Sequence, residues 1–198
     1  QQPQKNTLTR KQLVSRYQTL TNKDLLGLDF NKATYEPVGR LGKGTGGEVY
    51  LYKARKGTQG PEKIAVKVAF IEQMDQTTYE LSEKEMFKLK VIDHPNVMTL
   101  YHAFMTWKEM VIVGEYFEQG SLEEYEFDRS KADQLPLPRL CRVIKDVLSA
   151  LAYLHSYGMI HRDIKPANIM LSGEGAKLID FGFCTDPTEQ DQAYTVSP

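Results

Sequence analysis

Three glycines, Gly42, Gly44 and Gly47, stand at G-x-G-x-x-G spacing in Leu41-Gly42-Lys43-Gly44-Thr45-Gly46-Gly47-Glu48-Val49. Residues without side chains let backbone N–H groups come close to phosphate oxygens. In a dinucleotide-binding βαβ unit such glycines follow a strand and open a helix. Here Val49-Tyr50-Leu51-Tyr52 continues as a strand, so the loop is the turn of a β-hairpin, and the Rossmann reading fails. Taken alone, the spacing would equally suit a glycine-rich turn with no ligand. Residues further along the chain decide between the two.

From Tyr35 to Phe70, short β-rich runs are broken by glycines and by residues 57–61, which predicts three antiparallel strands. A helix is expected between Glu72 and Ile92, with Leu81, Met86, Leu89 and Ile92 on one face and Pro95 barring continuation. Two further strands are read at Met98–Phe104 and Glu109–Tyr116. After Pro136 and Pro138, the positions Leu140, Val143, Ile144, Val147, Leu148, Leu151 and Leu154 form an apolar stripe of period 3.6, with Gly158 as its C′ residue. Short strands close the pattern at Ile169–Leu171 and Ala176–Ile179. Before Tyr35 the chain is polar, and Leu13, Val14, Tyr17 and Leu20 recur at helical spacing after an N-cap at Thr9.

Lys67 lies inside the apolar run Ile64-Ala65-Val66-Lys67-Val68. Lysine is seldom buried without a partner, and a snorkelling edge lysine is the bland alternative. Behind a glycine lid, an ammonium that pairs phosphates is the better reading. Its carboxylate should come from the following helix. Glu85 fits the register set by Leu89 and by His94-Pro95-Asn96, with Glu83 as the alternative.

The most specific string is His161-Arg162-Asp163-Ile164-Lys165-Pro166-Ala167-Asn168. Phosphoryl transfer needs a carboxylate near the attacking hydroxyl, a cation on the transferring group and an oxygen ligand for Mg²⁺. Asp163, Lys165 and Asn168 supply those types in one short segment. Asp180, in Asp180-Phe181-Gly182, supplies a second hard oxygen ligand. Either tripeptide alone could be an ordinary turn; in this order, after the lid and Lys67, coincidence is negligible.

From about Tyr35 to Pro198 the chain resembles the protein kinase catalytic domain, whose signature set these motifs are. The resemblance implies an α+β, bilobal fold, with a five-stranded antiparallel N-lobe sheet, one regulatory helix and the first part of a mainly helical C-lobe. It implies ATP and Mg²⁺ as cofactors. Leu41, Gly42, Gly44, Gly47 and Val49 would form the lid, and Lys67 would hold the α- and β-phosphates with Glu85 as its partner. Asp163 would be the catalytic base and Lys165 the γ-phosphate contact, with Asn168 and Asp180 as the metal ligands. Glu115, Tyr116 and Phe117 match the hinge that reads adenine through backbone groups, and Ala65 and Met170 match the residues that sandwich the ring. Lys165-Pro166-Ala167-Asn168 is similar to the serine/threonine type, so the implied partner is a protein substrate carrying those hydroxyls. Asp180-Phe181-Gly182-Phe183-Cys184 and Glu118-Gln119-Gly120-Ser121-Leu122 lean towards the p21-activated group. The division expected is a flanking segment at 1–33, an N-lobe at 34–114, a hinge at 115–120 and a partial C-lobe at 121–198.

Composition agrees with a soluble, cytoplasmic or nuclear protein. Hydrophobic residues make up 41% and charged residues 26%, and the net charge is -1, which offers no basic field for nucleic acid or for a membrane surface. Apolar runs such as Val111 to Val113 are strand-sized, so no membrane insertion is expected. Cys141 and Cys184 lack metal-type spacing and read as reduced thiols.

Three departures from the family pattern stand out. The C-lobe should continue well past Pro198, and with Gln at position 1 the chain reads as a piece of a longer protein. The alternative function is therefore a truncated, inactive nucleotide-binding or scaffold module. Gly114 replaces a bulkier residue before the hinge and should leave a void near Leu89, Leu100 and the Lys67–Glu85 pair, unless Met86 or Met110 fills it. The lid tip Thr45-Gly46 lacks an aromatic. Arg162 would pair with an activation-segment phosphate, for which Thr185, Thr188, Tyr194, Thr195 and Ser197 are the nearby hydroxyls, with Thr195 slightly favoured.

Overall fold

The glycine run turns the chain back on itself. Strands β1 (Tyr35–Gly44) and β2 (Gly47–Ala54) pair antiparallel, with Gly44 opposite Gly47. In the computed structural model, residues 9–19, 34–44, 47–127, 135–185 and 188 are described. The lid tip, Thr45-Gly46, lies outside them. With β3 (Lys63–Phe70), β4 (Leu100–Met105) and β5 (Glu109–Glu115), the hairpin builds a five-stranded sheet in the order β1-β2-β3-β5-β4, antiparallel throughout.

Alternation along β3 and β5 divides the sheet's apolar side chains between two clusters. Ile64 and Val66 pack with Phe104, Val111 and Val113 on one side. Ala69, Met110 and Ile112 belong to a larger cluster with helix α2 (Gln76–Val91). That helix begins four residues later than expected. Ile71–Gln73 form a 3₁₀ turn, Asp75 is extended, and its carboxylate caps the helix by accepting the Thr78 N–H at 2.7 Å. Helix α1 (Arg10–Thr19) opens with the expected cap at Thr9. The Gln12 N–H reaches the Thr9 hydroxyl and the Gln12 side chain takes the Thr9 N–H, a reciprocal capping box. Leu13 is fully buried, and α1 packs on α2. Leu20 lies outside the described residues.

The second part of the chain contains a short helix, α3 (Leu122–Phe127), too short to show a period in the sequence. Helix α4 (Leu137–Ser156) and the hairpin β6 (Ile169–Ser172) and β7 (Gly175–Leu178) follow. Gly158 ends α4 with φ 77°, its N–H on His155 O, while the Met159 N–H reaches Leu154 O. This is a Schellman motif, and it needs a residue that tolerates the left-handed region. Val143, Val147, Ala150 and Leu154 are buried, whereas Ile144 and Leu148 of the same stripe remain 50% and 60% exposed.

The hairpin is tied to the segment that enters β4. The Leu178 N–H donates to Asn96 O and the Met98 N–H to Leu178 O, both at 2.9 Å, and the Asn96 side chain reaches Ala176 O. No helix among the described residues is long and apolar enough to cross a membrane.

Candidate active site

The register of the sheet places the site. Lys67 on β3 stands opposite Val49 on β2 and Ile112 on β5, so its side chain leaves the face that looks toward α2. Its ammonium meets the Glu85 carboxylate at 2.7 Å, and the Glu85 side chain is only 6% exposed. Glu83 instead accepts from the Tyr79 hydroxyl, which decides between the two candidates. Burial by itself pulls the Lys67 pKa down. The charges of Glu85 and Asp180, with the hydrogen bond to Glu85, outweigh it and hold the group above its ordinary value.

The lid glycines differ in what they require. A Cβ on Gly47 would lie 2.6 Å from Val68 O, so this glycine is demanded by packing on β3. A Cβ on Gly42 would meet nothing within 4 Å. Gly42 pairs with Val49, which in turn stands opposite Lys67, so the open space beside Gly42 lies in the same cross-strand row as the lysine. Leu41 is exposed, and Ala65 lies two residues before Lys67 on the same face. Met170, on β6, bridges to Ser121. The Glu115 N–H donates to Thr99 O, and its carboxylate takes Lys177 at 2.6 Å. Phe117 is buried.

The loop after α4 brings the next group together. Asp163 Oδ2 accepts from Lys165 Nζ and from Asn168 Nδ2, each at 2.8 Å, and Asn168 Nδ2 also donates to the Asp163 carbonyl at 2.9 Å. The Lys165 hydrogen bond, with help from Asn168, holds the Asp163 carboxyl below the usual range. Arg162 and Asp180 adopt φ of 66° and 62°, a left-handed backbone costly for residues with side chains and typical of functional sites. Asp180 accepts the Gly182 N–H at 3.4 Å, and its charge raises the pKa of both Lys67 and Lys165. Two carboxylates and an amide, with lysines facing the same space, suit a nucleotide-borne Mg²⁺, which takes few protein oxygens and shares phosphate ones. Among the described residues, no cluster of three or more His, Cys, Asp or Glu forms a self-sufficient metal cage.

Residues 35–197 match the family described as protein kinase domain. This chain belongs to the protein kinase domain family. It is 36% identical over 157 residues to the probable serine/threonine-protein kinase mkcB of Dictyostelium discoideum, covering 78% of this chain and 21% of that one. It is 36% identical over 155 residues to the serine/threonine-protein kinase PAK mbt of Drosophila melanogaster, covering 76% and 22%. The serine/threonine-protein kinase shk2 of Schizosaccharomyces pombe is 31% identical over 189 residues, covering 91% and 30%. The chain thus spans about a fifth to a third of those relatives' lengths.

The kinase domain corrects the expectation at Gly114. No void is left there, because Met98 has moved in, and neither Met86 nor Met110 is the occupant. A Cβ on Gly114 would lie 3.0 Å from Met98 Sδ and 3.1 Å from its Cε. Filling a cavity is therefore not how Gly114→Met would act. It should destabilise the domain by about 1–3 kcal/mol through overpacking. Chemical denaturation checks this, and adding Met98→Ala should recover most of the loss.

A second correction concerns Thr185. It is 1% exposed, and its hydroxyl accepts the Ile160 N–H at 2.7 Å, so it is not an accessible phosphate acceptor. Thr188 is exposed, while Tyr194, Thr195 and Ser197 lie outside the described residues. Arg162 lines one cavity with Lys84, Lys88 and Cys184.

Two residues of this kinase domain escaped the sequence reading as site elements. His161 is 1% exposed; its Nδ1 accepts the Asp163 N–H at 3.3 Å, so Nε2–H is the donor to Ile179 O at 3.1 Å. Burial keeps it neutral by lowering its pKa. Lys177 was missed as the partner of Glu115. Position beside Arg162-Asp163 was the available signal for His161; Lys177 had none.

Proposed function

We propose that this kinase domain transfers the γ-phosphoryl group of ATP to serine or threonine hydroxyls of protein substrates, with Mg²⁺. The observation that carries the reading is the Asp163 carboxylate held at 2.8 Å by both Lys165 and Asn168. Bound Mg·ATP would supply the transferable group and neutralise the charge that develops on it. Lys67, fixed by Glu85, holds the α- and β-phosphates. Leu41, Val49, Ala65 and Met170 form apolar walls for the base, beneath a lid made by Gly42, Gly44 and Gly47. Backbone groups of Glu115 and Phe117 read the adenine edge. Asn168 and Asp180 present oxygens to the metal.

Asp163 orients the substrate hydroxyl and takes its proton, and Lys165 contacts the γ-phosphate. The sequence Lys165-Pro166-Ala167-Asn168 and the serine/threonine names of the relatives support the acceptor class. Arg162, with Lys84 on the same cavity, suits a phosphate carried by the segment beyond Asp180.

The test uses the full-length protein, labelled ATP and acceptor peptides that differ only in Ser, Thr or Tyr. Label is expected on Ser and Thr. Nucleotide binding without transfer to any acceptor would favour the binding-module reading instead.

A pH profile adds a second check. A base must be deprotonated, and Lys165 first among its partners holds Asp163 below the usual carboxylate range, so transfer persists into mild acid. Lys165→Met should move the acid limb of the residual kcat/KM profile to higher pH. An unmoved limb would remove Asp163 as the titrating group.

A further inference from the structure

Lys88 lies on α2 with only 1% of its surface exposed, against Phe181 and Cys184 of the main core. An ammonium in such surroundings is tolerated only when its protons are taken up by acceptors. Lys88 Nζ donates to the Phe181 carbonyl at 3.4 Å and to the Cys184 carbonyl. Both acceptors belong to the chain that leaves Asp180. Glu85 stands one turn earlier on the same side of α2 and holds Lys67 on β3.

One helix therefore grips two separate parts of the site in successive turns. The Phe181 ring, fully buried, meets the His161 ring edge-on at 5.0 Å, and His161 in turn accepts the Asp163 N–H. Asp180, between these anchors, has a left-handed backbone that its neighbours must enforce.

We propose that Lys88 is a positioning residue: by capping the Phe181 and Cys184 carbonyls, it fixes the segment after Asp180 to the helix that carries Glu85. The carboxylate offered to the metal and the cation offered to the phosphates are then set by a single element. The inference rests on the phosphoryl-transfer reading for its consequence, and on the hydrogen bonds alone for its existence. The ammonium acts on the site through the backbone carbonyls of Phe181 and Cys184.

Lys88→Met in the full-length protein keeps the side-chain length and removes the donors. The Cys184 N–H, which donates to Phe181 O, and the Thr185 N–H, which donates to Ile160 O, should exchange with deuterium about 10-fold faster, the worth of a charged hydrogen bond. Amides of β6 and β7 should keep their protection. The Mg²⁺ concentration for half-maximal transfer should rise, while nucleotide affinity without metal stays unchanged. Lys88→Arg should restore both readouts.

Unchanged exchange at Cys184 and Thr185 overturns the proposal, as does a loss of protection spread equally over β6 and β7. If Lys88→Met does not fold, Lys88→Gln, which keeps one neutral donor, is read by the same exchange criterion. A wild-type protein that transfers no phosphate would defeat the functional reading, yet the exchange result would still decide the latch.

Discussion

Asp180→Asn is expected to reduce phosphoryl transfer by the full-length protein by about 10²-fold or more, since positioning and electrostatics supply nearly all of this chemistry. Asn is a good control for the backbone. It tolerates the left-handed conformation that Asp180 adopts at φ 62°, so the fold should persist while the charge is lost. The negative field that lifts the pKa of Lys67 and Lys165 goes with it. Thermal denaturation should show little change, and nucleotide should still bind in the absence of Mg²⁺. Radiolabel transfer equal to wild type would mean that the metal site has been assigned to the wrong residue.

Lys67→Met should be as damaging to transfer and more damaging to the fold. The Glu85 side chain is 6% exposed, and without Lys67 its carboxylate is left buried with no ammonium. Breaking a buried pair from one side costs about 3 kcal/mol. Denaturant titration should show that loss, and the double variant Lys67→Met/Glu85→Met should regain most of it while remaining inactive. The sign with pH comes from the raised Lys67 pKa. Its contribution to stability is complete below the unfolded value of 10.5 and fades only as pH climbs through the higher folded value. A double variant no more stable than the single one would show that the pair is not what holds α2 to the sheet.

Local chemistry made much of this legible from residues alone. The hairpin followed from glycines succeeded by β-formers, the Thr9 cap from a hydroxyl before a helical period, and the end of α4 from Gly158. The pairing of Lys67 with Glu85 was reachable because the register of one helix could be counted from Leu89. Contacts between distant parts of the chain were not. Lys88 and Phe181 are 93 residues apart, and nothing in a helix of mixed lysines marks the one that turns inward. Met98 precedes β4 and continues its apolar pattern, so the sequence places it in that strand. Its backbone is taken by Leu178 instead, and its side chain fills the space beside Gly114. The start of α2 is displaced from its expected position because Ile71–Gln73 turn as a 3₁₀ helix of similar composition, and only the extended Asp75 with its side-chain bond to Thr78 marks the boundary.

The sheet and the β6–β7 hairpin are fastened at two places along the chain. One is residues 96–98, hydrogen-bonded to Ala176 and Leu178. The other runs from Glu115, whose carboxylate holds Lys177, to Gly120, whose carbonyl receives the Leu171 N–H. Two separated attachments restrain the hairpin against the sheet in a way that a single covalent crossing would not. Glu115 and Lys177, each about a fifth exposed, form the ionic part of the second attachment, so that restraint should loosen as salt rises while the backbone hydrogen bonds of the first hold.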